Sequence, residues 1–131
     1  AIVASAVNLD AAGTFARKAV ADGRHVLVLS AGRDHGFALD DAYLAGCVTV
    51  RAMGGLRRRK GLNDAALVAV DLVARYGDRA ERVFTMSRAG RELAERGFRA
   101  DVHAAAQFDT HPVLPRFHER RITLHSAGPA A

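Results

Sequence analysis

The sequence lacks the features that define several large classes of protein. It contains no Trp and a single cysteine, Cys47, in 131 residues. One cysteine cannot close an internal disulfide, and its apolar neighbours predict a small packed side chain rather than a catalytic thiol. No apolar run approaches the roughly 18 residues of a membrane-spanning helix, and the first residues lack the basic start of a secretory signal. We therefore expect a cytoplasmic protein with no membrane partner.

Lysine is also scarce, because all but two of the 19 basic residues are Arg. The net charge of +5 would suit a nucleic-acid partner, since basic surfaces attract phosphates. However, the Arg excess accompanies much Ala and Gly, as a GC-rich genome would produce without selection for binding. The one dense basic run, residues 57–60, lies between glycines and is explained equally well as a solvated loop. Nucleic acid is therefore an unlikely partner and only a third hypothesis.

Half of the residues are hydrophobic, which is enough for one core in a chain of 131 residues. Apolar runs at 2–7 and 25–30 predict buried strands, and helical spacing between them predicts a helix over 10–21. A strand, helix and strand of these lengths form a parallel βαβ unit. We predict one α/β domain over residues 1–126, with three α/β/α layers and a mixed, partly parallel sheet, followed by a flexible tail at 127–131.

The remaining elements are predicted from apolar spacing, caps and turn residues. The predicted helices are 38–53, 64–76, 78–85 and 88–96. The predicted strands are 101–107 and a hairpin of 113–117 with 121–125.

The most informative stretch is the loop of residues 30–41, SAGRDHGFALDD, between a predicted strand and a predicted helix. Gly32 and Gly36 allow tight turns and close approach of the backbone to a ligand. Amides at the start of the next helix would favour an anion, to which Arg33 could add a charged contact. The loop does not have Walker A spacing, so ATP is not implied. A strand-to-helix turn that needs glycine only for its geometry remains an alternative.

Asp40 and Asp41 fall in the first turn of the predicted helix. One of them could reach a magnesium ion, which commonly takes one or two carboxylates together with waters and a substrate phosphate. Neighbouring side chains point about 100° apart around a helix, so both are not expected to bind one ion. Alternatively, acids simply favour a helix start because of its dipole.

Ser87 and Arg88 form a second candidate anion site at a helix start, although capping alone explains the serine. Asp101 and Asp109 flank the strand predicted at 101–107, where carboxylates serve as turn formers or metal ligands. The histidines are scattered and show no spacing typical of a zinc site.

The order of these motifs resembles the 2-phosphosulfolactate phosphatase family, and specifically the C-terminal half of its members. The resemblance covers roughly residues 2–125. It rests on Ala31-Gly32, residues 36–41, Ala45-Gly46, and residues 63–66, 87–93, 97–102 and 107–115.

The resemblance implies an α/β/α fold and magnesium-dependent removal of phosphate from 2-phospho-3-sulfolactate, a step toward coenzyme M. It implies a small phosphorylated and sulfonated acid as substrate. Anion contact would fall to Gly32, Arg33 and Gly36, with Ser87 and Arg88 on the substrate. Asp40 or Asp41 would act on the metal or as the attacking group.

The chain departs from the family pattern in three ways, of which Ala89 and an absent half favour a second hypothesis, a non-catalytic anion-binding or assembly module. Asp40-Asp41 replaces the usual Glu-Asp, and Ala89 stands where the family usually has His. Family members are also longer, with an Asp- and Arg-rich motif in an N-terminal half that has no counterpart here. We therefore expect the partner to be that missing half or a second copy in a homodimer.

Overall fold

A computed structural model describes residues 1–125, so the tail predicted at 127–131 lies outside the described residues. A short 3-10 helix at Ala6–Asn8 leads into six α-helices and one hairpin. The α-helices, numbered α1 to α6, are Leu9–Ala21, Leu39–Met53, Asp64–Tyr76, Ala80–Met86, Arg88–Glu95 and Arg99–Ala105. The strands β1 and β2 are Leu114–His118 and Arg121–His125. Among these residues, no helix is both long and apolar enough to cross a membrane.

Helix α2 lies at the centre of the helical part, in contact with α1, α3 and α4. Its Tyr43 is completely buried with Leu9 of α1 and Val83 of α4. The Tyr43 hydroxyl donates a 2.6 Å hydrogen bond to the carbonyl of Gly77, which satisfies its one polar atom. The core therefore fixes α2 along its length and, with it, the acids at its start.

Local capping explains where several helices begin and end. The side chain of Asn63 accepts a 2.9 Å hydrogen bond from the Ala66 amide at the start of α3, and Gly77 follows its end. Helix α2 ends at Gly54, whose φ of 77° is left-handed. The helices predicted at 10–21, 38–53, 64–76, 78–85 and 88–96 are confirmed within about two residues.

The described sheet is a two-stranded antiparallel hairpin in which Leu114 pairs with His125 and His118 with Arg121. This confirms the predicted hairpin. The chain start adds a short bridge between Ile2 and Arg116. The fold is therefore a helix-rich α/β arrangement.

Three predicted strands are absent from residues 1–125. Residues 2–7 form only the bridge at Ile2 and then a 3-10 turn, because Asn8 holds the carbonyl groups of Val3 and Val113 at 3.0 and 3.1 Å. Residues 101–107 fall largely in α6, since an alanine-rich run favours helix. Residues 25–30 have no strand partner. The predicted parallel βαβ unit and three-layer arrangement are therefore not observed.

Candidate functional site

The site is built on residues 30–41, which we call the glycine loop. At its tip, the backbones of Arg33 and Gly36 exchange two hydrogen bonds of 3.1 and 2.8 Å. The residues between them, Asp34 and His35, have φ of 48° and 60°. Two successive positive φ angles produce the tight turn typical of two-residue hairpins. The tip of the loop is thus a narrow, well-defined turn.

Gly32, just before this turn, links the loop to α2 through a hydrogen bond. Its φ is +69°, and a Cβ there would lie 2.6 Å from the Gly36 carbonyl oxygen, so the position requires glycine. The Gly32 amide donates a 2.7 Å hydrogen bond to Oδ2 of Asp41. The glycines therefore shape the loop, and Asp41 anchors it to the first turn of the helix.

The start of α2 carries unpaired polar groups. Ala38 provides no side-chain cap, and no acceptor within residues 1–125 takes the amides of Leu39, Asp40 or Asp41. Such amides, aligned with the helix dipole, suit an anion. Oδ1 of Asp40 is buried and also has no hydrogen-bond partner in the described chain. Because buried polar atoms are normally paired, the unpartnered oxygen makes this helix start a candidate ligand site.

Arg33 and Arg88, two residues predicted to contact anions, meet at Glu92 of α5. Arg33 pairs with Oε2 of Glu92 through Nη2, and Arg88 donates from Nε to Oε1 at 2.8 Å. Arg88 also lies 3.0 Å from Oδ2 of Asp34. The cluster joins the glycine loop to the start of α5, and the two carboxylates balance much of the arginine charge.

The hydrogen bond from Arg88 holds the pKa of Glu92 below its ordinary value, and the charge of Arg33 acts in the same direction. In return, Glu92 raises the pKa of Arg88. Nε of Arg33 is buried and has no partner among the described residues. Arg33 therefore keeps one donor that its ion pair with Glu92 does not use.

Ser87 lies at the predicted helix start, but its hydroxyl group is already used in hydrogen bonds within the protein. Its side chain is 2% exposed, accepts from the Gly90 amide at 3.0 Å and donates to the Phe84 carbonyl at 2.8 Å. The structure thus favours the capping alternative for this serine.

Sequence reasoning did not identify Glu92 or Asp34 as parts of the site. The spacing of Arg88 and Glu92, four residues apart on one helix face, was the available signal. The contacts of Arg33 and Asp34 with α5 depend on tertiary packing, which no local pattern contained.

The remaining candidates lie elsewhere. Oδ1 of Asp109 accepts from the Asp10 amide at 2.7 Å near the start of α1, and Asp101 lies in the first turn of α6. Cys47 is buried, and desolvation raises the pKa of its thiol, which suits a packed side chain. Within residues 1–125, no group of three or more His, Cys, Asp or Glu side chains is placed to hold a metal ion. Magnesium needs fewer, since waters and a substrate phosphate complete its shell, and Asp40 fits that role.

Comparison with known proteins identifies the family of the chain. The chain matches the 2-phosphosulpholactate phosphatase family over residues 1–120. The prediction that the chain corresponds to a C-terminal half is not matched by this comparison. It is 32% identical over 122 residues to a probable 2-phosphosulfolactate phosphatase of Symbiobacterium thermophilum. That alignment covers 93% of this chain and 51% of the relative, so the chain spans about half the relative's length. The chain belongs to the 2-phosphosulfolactate phosphatase family.

Proposed function

We propose that this chain carries the anion-binding part of a magnesium-dependent phosphatase. The substrate would be a phosphomonoester such as 2-phospho-3-sulfolactate, and the products would be sulfolactate and phosphate. This reaction would be a step in the synthesis of coenzyme M. The observation that carries the proposal is the start of α2, where amides without an acceptor in residues 1–125 accompany a buried carboxylate oxygen of Asp40 that has no partner there either. Family membership supports the same chemistry.

The chain's own groups suit an anion with several oxygens. The amides of Leu39 to Asp41 would donate to a phosphate or sulfonate oxygen, and Nε of Arg33 would add a charged donor. Arg88 would remain close through its shared partner, Glu92. Gly32 and Gly36 would keep the turn narrow enough for the backbone to approach the ligand.

Asp40 would supply a carboxylate ligand to magnesium, since its Oδ1 has no partner among the described residues. When bound, magnesium would polarise the phosphoryl group and neutralise developing charge. Asp41 is less suited to attack phosphorus because the Gly32 amide already holds its Oδ2. We assign it to positioning the glycine loop and offering its other oxygen to the site. In the net reaction, a water oxygen bonds to phosphorus, the ester P–O bond breaks, and the departing alkoxide takes a proton.

The proposal includes a cytoplasmic location. For the whole enzyme, with the half that this chain does not span, it also includes a three-layer α/β/α fold with a partly parallel sheet. The sheet is supported by residues 25–30, which are apolar at successive positions, as strands covered on both faces are.

Phosphate release from 2-phosphosulfolactate and from an aryl phosphate, with and without magnesium, tests the proposal. The assay uses this chain alone and also joined to the part of the S. thermophilum relative that it does not span. We expect magnesium-dependent release that Asp40→Asn lowers by roughly 100-fold or more, as loss of a metal-ligand charge would. Asp64→Asn, in the first turn of α3, is the matched control and should retain activity. No magnesium-dependent release in either form would refute the proposal.

The alternative is a non-catalytic anion-binding or assembly module. It is favoured by Ala89, which cannot donate a proton where the family pattern places His. Calorimetry with sulfolactate separates the two functions. Binding that Arg33→Ala weakens, without any phosphate release in either form, would favour the module.

A further inference from the structure

The apolar segment of residues 25–30, HVLVLS, is the most exposed hydrophobic stretch of the loop regions. Leu27 and Leu29 are 78% and 82% exposed, whereas Val26 and Val28 are 41% and 38% exposed. This alternation has the period of a β-strand, with the valines turned toward the protein and the leucines toward solvent. Both faces of the segment are nevertheless apolar.

The backbone of the apolar segment is unpaired within residues 1–125. The flanking bonds are those from the Arg24 amide to the Ala19 carbonyl and from the Gly32 amide to Asp41. No described hydrogen bond involves residues 25–30 themselves. Natural sheet edges are usually protected by Lys, Pro or a bulge, and this segment contains neither residue. Its composition is therefore typical of a strand that has neighbouring strands in a sheet.

A groove of about 790 Å³ lies beside the segment. Its other walls are small and apolar side chains of α2 and α3, including Ala45, Val48 and Ala66. Helices thus partly cover the valine face. The leucine face and the backbone edges remain open.

We propose that the apolar segment pairs with an extended apolar strand from the half of the family enzyme that this chain does not span. The chain covers 51% of its S. thermophilum relative, so polypeptide of comparable length is available to supply it. Apolar residues at successive positions are typical of a strand with sheet neighbours and covered faces. Strand addition to a free edge would satisfy the backbone and bury the leucines.

A second copy of this chain fits the edge less well. The segment directly follows Arg24, and the chain carries a net charge of +5. Two copies would bring identical basic flanks to one contact, which their charges oppose.

Amide hydrogen exchange tests the inference without using catalysis, so its failure is distinguishable from failure of the proposed function. We expect residues 26–30 to exchange rapidly in this chain at all concentrations. The aligned segment of the full-length S. thermophilum relative should exchange roughly 100-fold or more slowly, as paired strands do. Rapid exchange in the relative would overturn the proposal. Slow exchange of residues 26–30 in this chain alone would also overturn the proposal. If that slow exchange depended on protein concentration, the partner would be a second copy of the chain.

Co-expression with the remaining part of the relative provides a second measurement. We expect this chain to retain that part through purification and the double variant Leu27→Lys, Leu29→Lys to lose it. Leu93→Lys is the matched control, because Leu93 is also exposed, at 39%, but lies on α5. Failure of the wild-type chain to retain the part, or equal retention by the double variant, would contradict the proposal.

Discussion

The amide of Gly32 and the carboxylate of Asp41 are joined by a hydrogen bond of 2.7 Å. The bond closes the glycine loop onto the first turn of α2, where the helix has no side-chain cap from Ala38. A single aspartate thereby sets the distance between a turn that presents Arg33 and a helix start that presents free amides.

Asp41→Ala should destabilise the protein by about 1.5 to 3 kcal/mol, the usual contribution of a hydrogen bond to a charged group. The cost arises because the Gly32 amide loses its acceptor. Urea unfolding measures it. Asp64→Ala is the control, since Asp64 occupies the first turn of α3 and should lose only about 0.3 to 1 kcal/mol of dipole interaction. Equal losses for both variants would contradict a special role for Asp41.

Ser87→Ala should cost about 1 to 2 kcal/mol of stability while leaving ligand affinity unchanged. The hydroxyl is buried between the Gly90 amide and the Phe84 carbonyl, so removing it unpairs both. Thermal unfolding and calorimetry with sulfolactate measure the two quantities separately. Arg33→Ala should show the opposite pattern, with weaker binding at a smaller stability cost. A large affinity loss in Ser87→Ala would restore the serine to the substrate site.

The Glu92 cluster should weaken in acid. The pKa of Glu92 is lowered in the folded protein, mainly by its hydrogen bond from Arg88. The carboxylate therefore stabilises the fold above the ordinary glutamate pKa of about 4.3, and this contribution is lost as the pH falls from there through the lowered value. Melting temperatures of wild type and Glu92→Gln should differ at pH 7, and the difference should shrink as the pH falls below about 4.3.

Glu95→Gln, on the same helix, is the matched control for this pH experiment. It should follow wild type at neutral and at low pH. A difference between wild type and Glu92→Gln that persists unchanged at low pH would show that the ion pairs with Arg33 and Arg88 contribute nothing.

Gly46→Ala should destabilise the protein by about 3 kcal/mol or more, at the upper end for overpacking. A Cβ at this position would lie 2.1 Å from the Ala69 carbonyl oxygen, which is backbone and cannot rotate away. Gly23→Ala is the control, since its φ is +74° but its Cβ would meet open space. That variant should cost about 1 to 2 kcal/mol from backbone strain alone. Chemical denaturation compares the pair, and a smaller cost at Gly46 would refute the close approach of α2 to α3.

The helices were predictable because their signals are local. For α1 to α5, the Asn63 cap, the glycines that follow α1, α2, α3 and α5, and the apolar spacing all act within a few residues of the element they define. The same holds for the hairpin, whose turn at Glu119 and Arg120 has the positive φ angles of a two-residue connection.

Strands were predicted at places outside the hairpin where the structure has none, because strand composition alone does not supply the neighbouring strand that pairing needs. Residues 25–30 have strand composition but no neighbour within the described chain, and residues 2–7 are instead held by Asn8. Residues 101–107 were misassigned because their apolar spacing suits either element, and alanine favours helix.

The site was predictable in part. Glycines, arginines and acids around a helix start indicated a tight loop before α2, since each acts through its immediate surroundings. The sequence did not show that Glu92 would bridge Arg33 and Arg88, because that contact joins residues far apart in the chain.

Helix α2 makes close contacts at two points. Its Arg51 packs against Gly13 of α1, and its Gly46 packs against Ala69 of α3. Sliding or tilting of this helix would push its backbone into the Ala69 carbonyl group and the Arg51 side chain into α1, so the acids stay where the core sets them. Any opening and closing around a ligand must then fall to the turn at residues 33–36, which is held mainly by its own two hydrogen bonds and the exposed ion pairs to α5. A variant that binds a different anion would accordingly differ in that turn, while Asp40 and Asp41 at the start of α2 would keep their positions.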